Sequence, residues 1–254
     1  MIEHTFIDYW LLLAPLAAGA IILLTHVPLG IQVIKRGIIF IDLAIAQIAS
    51  LGVIVASLLG LTAGSWQLQL VALSSALIGG ALLGKLEQIA GKYQEALIGV
   101  MFILAATASI ILLSSNPHAH EQLQNLLIGQ ILWVDYPALL YPGVISLLIL
   151  VACWLQPQLL SGKYFFLLFA LAITSSVQLI GVYLVFASLI IPALAVVHNK
   201  YNLALVTAYS IGILGYFLGL WLSSITDLPS GAVIVWSMSI ISLSYWCLKR
   251  IIKQ

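Results

Sequence analysis

Charge is what this chain has least of. Only 7% of its 254 residues are Asp, Glu, Lys or Arg, against 63% that are hydrophobic. Soluble domains carry about a quarter charged residues. A chain so composed cannot cover a water-facing surface, which excludes a soluble globular protein and leaves a polytopic membrane protein. The formal net charge of +1 provides no basic surface for nucleic acid. Cysteine is almost missing too. Cys153 and Cys247 each sit inside an apolar run, which excludes a disulfide framework and a CxxC site. Positive charge is lacking ahead of the first apolar run, where Glu3 and Asp8 stand instead, the wrong flank for a secretory signal peptide. No appended soluble domain is expected, and residues 1–254 read as a single transmembrane domain.

What the chain has in abundance is long apolar runs. They lie at about 10–34, 38–60, 67–84, 94–114, 138–155, 164–179, 181–197, 202–222 and 231–248, each bounded by charge, Pro, Gly or a polar cluster. The fold expected is therefore all-α: a polytopic membrane helical bundle of about nine membrane-embedded helices, short and broken ones included. Lys35/Arg36, Lys85/Lys92, Lys163, Lys200 and Lys249/Arg250 fall on alternate ends of these runs, while Glu3, Asp8, Glu121, Asp135 and Asp227 fall on the others. The positive-inside rule puts the N-terminus outside and the C-terminus in the cytoplasm of a bacterial inner membrane, a parity that nine crossings satisfy. Two stretches strain the pattern. Residues 123–134, LQNLLIGQILWV, are too few to span and too apolar for a loop, so a re-entrant or broken outer helix is expected. Residues 164–198 must hold two short paired helices around Gln178–Gly181.

Polar groups stand out against this background. The segment from Pro28 to Gly60 carries Asp42 and Gln47 inside its apolar run. A carboxylate at membrane depth costs roughly 2.5–3.5 kcal/mol on insertion scales and is seldom left facing lipid. Gly80xxxGly84 and Gly215xxxGly219 permit close helix approach, within one chain or between two. Gly79–Lys85, GGALLGK, imitates a phosphate loop, but Leu86 stands where Ser or Thr must hold magnesium and no strand precedes it. Nucleotide binding is rejected, and Ser188 has no basic partner in sequence for protease chemistry. The chain itself is not expected to be an enzyme.

Four stretches taken in order point further. PLG leads through Lys35-Arg36 into a helix ending IASLG. Glu95-Ala-Leu-Ile-Gly99-Val opens the fourth run. Gly181-Val-Tyr-Leu-Val-Phe-Ala-Ser-Leu-Ile-Ile-Pro192-Ala-Leu-Ala follows, and Asp227-Leu-Pro229-Ser-Gly231 precedes the last run. Across nearly its whole length the chain resembles the membrane permease subunit of the zinc, manganese or iron ABC importers, the ABC-3 family. The resemblance implies a homodimer in membrane lipid, served by two cytoplasmic ABC ATPase subunits and an extracytoplasmic metal-binding protein. No cofactor is implied for this chain; the divalent metal, zinc being favoured, is cargo.

The sequence departs from the family in two places. Members carry Asp-x-x-x-His in the second helix, two plausible metal ligands on one helical face. Here Gln47 takes the histidine's place, Leu43 the acid's, and Asp42 lies one residue earlier. Gln47 offers only a neutral carbonyl oxygen. His26, beside the Pro28 break, is a candidate for the missing nitrogen; its plainer role is a packed imidazole bonded to a backbone carbonyl. The second departure is the short connection Gln156–Lys163, where members have a longer acidic segment. ATPase coupling is accordingly expected at His198, Asn199 and Lys200, whose plainer role is a solvated loop end. Outside, His118, His120 and Glu121 are expected to capture incoming metal, since His-x-His in an extended segment shares a face; an ordinary polar loop is the alternative. Gln130 and Asp135 would flank the outer mouth, with Gln178 and Ser188 lining the path or serving only as interhelical hydrogen bonds. Zinc follows from the outer histidine pair, with manganese or iron as alternatives. A reading of another class is an ion-coupled secondary transporter with Asp42 and Glu95 exchanging protons.

Overall fold

The computed structural model describes residues 9–62, 66–114, 127–129, 131–162 and 164–252. Its helices are α1 (Tyr9–Arg36), α2 (Ile41–Leu58), α3 (Trp66–Ala90), α4 (Gln94–Leu113), α5 (Leu140–Leu155), α6 (Phe165–Ile180), α7 (Val182–Ala195), α8 (Tyr201–Thr226) and α9 (Ser230–Ile252). Short 3-10 turns at Gly91–Tyr93, Ile131–Trp133 and Pro137–Leu139 and one helical turn at Gln158–Ser161 complete the order. No strand occurs among the described residues. This is the outcome lipid demands, because each helix satisfies its backbone groups internally. The stretches Leu12–Arg36, Ile41–Leu58, Trp66–Leu113, Pro137–Leu155, Tyr201–Thr226 and Ser230–Ile251 are long and apolar enough to cross a membrane. Trp66–Leu113 holds two of the helices, redirected at Gly91, whose φ is +50°. α6 and α7 have 16 and 14 residues, about 24 and 21 Å at 1.5 Å per residue, which is short of a hydrocarbon core of about 30 Å.

The cationic residues gather at one end of the bundle. Arg36, in the last turn of α1, pairs with Glu87 of α3 at 2.7 Å, donates to the Gly162 carbonyl at 3.1 Å and stacks 4.5 Å from the Phe165 ring centre. Lys35 lies over the Tyr201 ring at 5.2 Å, and Lys249 donates to Asn199. The starts of α6 and α8 and the ends of α1, α3, α7 and α9 therefore share this end. Lys35 and Arg36 also complement the partial negative charge at the α1 C-terminus.

The opposite end is closed by two glycines in left-handed conformation. Gly129 (φ +70°) ends the described piece 127–129 of the segment ahead of α5, and Gly181 (φ +79°) separates α6 from α7. Their backbones touch, and the Ile128 carbonyl comes within 3.0 Å of where a Cβ on Gly231 would stand. The described part of this segment thus packs against the α6–α7 corner and the start of α9, with Ile131 1% and Trp133 76% exposed. Irregular backbone is tolerated in such proteins where other protein covers it.

The small-residue pairs turn out to serve packing within the chain. Gly80 and Gly84 lie against Phe166 of α6, and Gly215 and Gly219 against Met238 and Ile234 of α9. α1 occupies the centre. It packs on α5, α7 and α8, and Ala18, Ile22, Val27, Leu29 and Val33 along it are fully buried.

Candidate functional site

Residues Leu43, Gln47, Ser50 and Ile54 of α2 recur at i, i+4, i+7 and i+11, so they form one stripe down the helix. That stripe is one wall of a cavity of about 670 Å³. Phe102, Ala106, Ser109 and Ile110 of α4 form a second wall by the same periodicity. Val182, Tyr183, Phe186, Ala187 and Ile191 of α7, with Ala232, Val235 and Trp236 of α9, supply the other side, and Leu127 of the segment ahead of α5 reaches it. α2 packs along α4, and α7 along α9, so the cavity is the wedge between two helix pairs. Its floor is buried and partly polar: Gln47 is 7%, Ser50 4% and Ser109 1% exposed. Its rim is open and apolar at Ile110, Tyr183 and Trp236.

Asp42 precedes this stripe by one residue, a turn of about 100° round the helix, and does not line the cavity. It is 1% exposed, and among the described residues its carboxylate has no side-chain hydrogen-bond partner; only the backbone amides of Asp42 and Leu43 approach it, without full hydrogen-bond geometry. Glu95, in the first turn of α4, is close enough to act on it electrostatically. One Glu95 oxygen accepts the Phe40 N–H at 3.0 Å, tying the start of α2 to the start of α4. This contact satisfies one of the free amides that precede a helix.

The other residues singled out from sequence are scattered. His26 is fully buried in α1, its Nδ1 3.0 Å from the Ile22 carbonyl and 3.3 Å from Thr25 Oγ1, while Nε2 has no partner. It lines no part of the cavity. Ser188 donates to the Leu184 carbonyl and shares a 2.8 Å hydrogen bond with Tyr216, the largest fully buried side chain. Gln178 lies near the α6–α7 corner, half-buried with Nε2 unpartnered, and away from the cavity wall. His198 and Lys200 are exposed at the cationic end. Asn199 between them donates to Tyr245 at 2.8 Å and accepts from Lys249. Asp135 accepts the Ala138 N–H at 3.1 Å ahead of α5. His118, His120, Glu121 and Gln130 lie outside the described residues. Among the described residues no three His, Cys, Asp or Glu side chains come together as a metal cage.

Sequence reasoning passed over Ser50, Ser109 and the aromatic group Phe102, Tyr183, Phe186 and Trp236. The α2 stripe was legible by counting fours and threes from Gln47. Nothing in one sequence announced that α4, α7 and α9 would face it.

Among the described residues, a helical bundle with six stretches long and apolar enough to cross a membrane defines a multi-pass membrane protein. The chain belongs to the ABC 3 transport family, whose model matches residues 8–165 and 155–248. It is a membrane permease subunit and not an enzyme in its own right, and the family sets aside the ion-coupled secondary transporter. It is 27% identical over 200 residues to a probable metal transport system membrane protein of Chlamydia muridarum, covering 70% of this chain and 68% of that one. It is 26% identical over 229 residues to the manganese transport system membrane protein MntC of Halalkalibacterium halodurans, covering 82% and 76%. Its fold matches a chain of PsaBC from Streptococcus pneumoniae in complex with Fab, with a TM-score of 0.74 at 20% identity over 91% of this chain and 89% of that one.

Proposed function

We propose that this chain is the translocation subunit of an ATP-driven divalent-metal importer in a bacterial inner membrane. It works as a homodimer with separate cytoplasmic ATPases and an extracytoplasmic binding protein. The observation that carries this reading is the wedge of about 670 Å³ with Gln47, Ser50 and Ser109 on its buried floor and an open apolar rim. A second copy would close that rim and turn the wedge into a corridor. Buried polar side chains in a membrane bundle mark a path in preference to a lipid face. The cationic end is cytoplasmic by the positive-inside rule, leaving the Gly129–Gly181 corner outside. The exposed His198–Lys200 turn, anchored through Asn199 to α9, is the surface on which the ATPases push. Their closure would rock α7 and α9 against α2 and α4. His118, His120 and Glu121 would gather metal at the outer mouth, and Asp42 would act on the path from behind its wall.

Zinc is the cargo that the outer imidazole pair suits. Manganese is the second reading, favoured by the name of the Halalkalibacterium relative. The test is metal accumulation in cells that produce the chain with its ATPase and binding protein. Accumulation is expected to stop when the ATPase's phosphate-loop lysine is replaced. Accumulation that persists, driven by the proton gradient alone, would refute the reading.

A further inference from the structure

The cavity has a property that bears on the form in which its cargo travels. None of the described residues lining it is ionisable at neutral pH. The polar groups of that described lining are one amide, two serine hydroxyls and the Tyr183 phenol, and its other side chains are aliphatic or aromatic. Asp42, one residue before the stripe, is buried and off the described wall, and the stripe position four residues before Gln47 is Leu43.

A bare divalent cation fits such a wall badly. Zinc is held by imidazole, thiolate or carboxylate, and manganese by carboxylate, carbonyl and water. A wall of hydrocarbon gives no recompense for a stripped hydration shell. Keeping the shell does not match the space either. Six waters at about 30 Å³ each occupy roughly 180 Å³, near a quarter of one protomer's share of the cavity. A volume of about 670 Å³ falls inside the range of about 300–1,000 Å³ typical of sites for organic molecules, which are apolar with a few placed polar groups. Phe102, Tyr183, Phe186 and Trp236 give it the flat apolar faces that such a molecule stacks on.

We infer that the cargo crosses this cavity as a neutral metal complex, its donor atoms supplied by an organic ligand and its apolar faces set against those aromatics. Gln47, Ser50 and Ser109 would hydrogen-bond the ligand's polar edge. The inference rests on the reading of the cavity as the transport path.

The test uses the chain with its ATPase and binding protein, reconstituted in nanodiscs. ATP hydrolysis is measured with zinc chloride, with bis(8-quinolinolato)zinc and with 8-quinolinol alone, each at equal concentration. The neutral complex is expected to stimulate hydrolysis at least about tenfold more than the bare ion or the free ligand. Ala106→Trp, which fills the wedge, is expected to abolish that stimulation. Leu43→Asp, which puts a carboxylate on the wall, is expected to shift the preference toward zinc chloride. Stimulation by zinc chloride without any by the complex overturns the inference and leaves the importer standing. Stimulation by the complex that Ala106→Trp does not touch places the complex in the lipid, and also overturns it. Stimulation by no form sinks the transport reading and the inference together.

Discussion

Replacing Gly181 by Ala tests the corner on which the end of the bundle opposite the cationic residues depends. Gly181 sits at φ +79° and ψ +163°, a region open almost only to glycine, where another residue costs about 1–3 kcal/mol. A methyl group there would also overlap the Gly129 amide and stand 2.5 Å from the Ile128 carbonyl carbon. Those are backbone atoms, which cannot swing aside as a side-chain tip does. The combined loss is therefore placed at about 3 kcal/mol or more. At about 2–4 °C per kcal/mol for a chain of this size, the melting midpoint should fall by roughly 6–12 °C. Two controls separate the causes. Gly91 has φ +50° with nothing within 4 Å, so Gly91→Ala reports strain alone, about 1–2 kcal/mol. Gly99 lies within α4, again with nothing within 4 Å, so Gly99→Ala should hold or raise the midpoint. The assay is thermal unfolding of detergent-solubilised protein followed by tryptophan fluorescence. A Gly181→Ala midpoint no lower than that of Gly91→Ala would refute the close contact of the two glycine corners.

Three further outcomes follow from named contacts. Tyr216→Phe removes the hydroxyl shared with Ser188 and should cost about 0.6–1.5 kcal/mol, because Ser188 keeps its bond to Leu184; no change in the unfolding midpoint would count against the bond. Arg36→Lys keeps the charge but loses the stack on Phe165 and the reach to both Glu87 and Gly162; it should lower stability by about 1 kcal/mol, and Glu87→Gln should do less harm in that background than in the wild type, read as a double-mutant cycle. Gln47→Leu strips the amide from the cavity floor and should reduce cargo-stimulated ATP hydrolysis about tenfold, whereas Asp42→Asn, off the wall, should change it less than about threefold. The reverse order would place the carboxylate in the path.

Much of the bundle could be read from the chain alone. Long apolar runs have one stable form in lipid, so helix number and rough limits followed from hydrophobicity and from where Lys and Arg interrupt it. Residues 123–134 stood out as too few to span and too apolar for a loop, and residues 164–198 because two crossings had to share them around Gln178–Gly181. Their contact through Gly129 and Gly181 did not, since it joins segments some fifty residues apart. Gln47 was visible as a polar intruder, yet Asp42 was as visible and lies off the cavity wall. Periodicity separates the two only after some other helix defines which face matters.

Local chemistry therefore determined that this chain lives in a membrane, that it is helical, and that its second helix carries polar groups at a depth where they need company. Only the tertiary structure decided which helices supply that company. α4, α7 and α9 meet the Leu43–Ile54 stripe, and Gly215 and Gly219 let α8 press on α9. The physical reason is that lipid rewards every apolar face alike. Helix partners are selected by shape and by the closeness that small residues allow, and these belong to pairs of segments and cannot be read from either one.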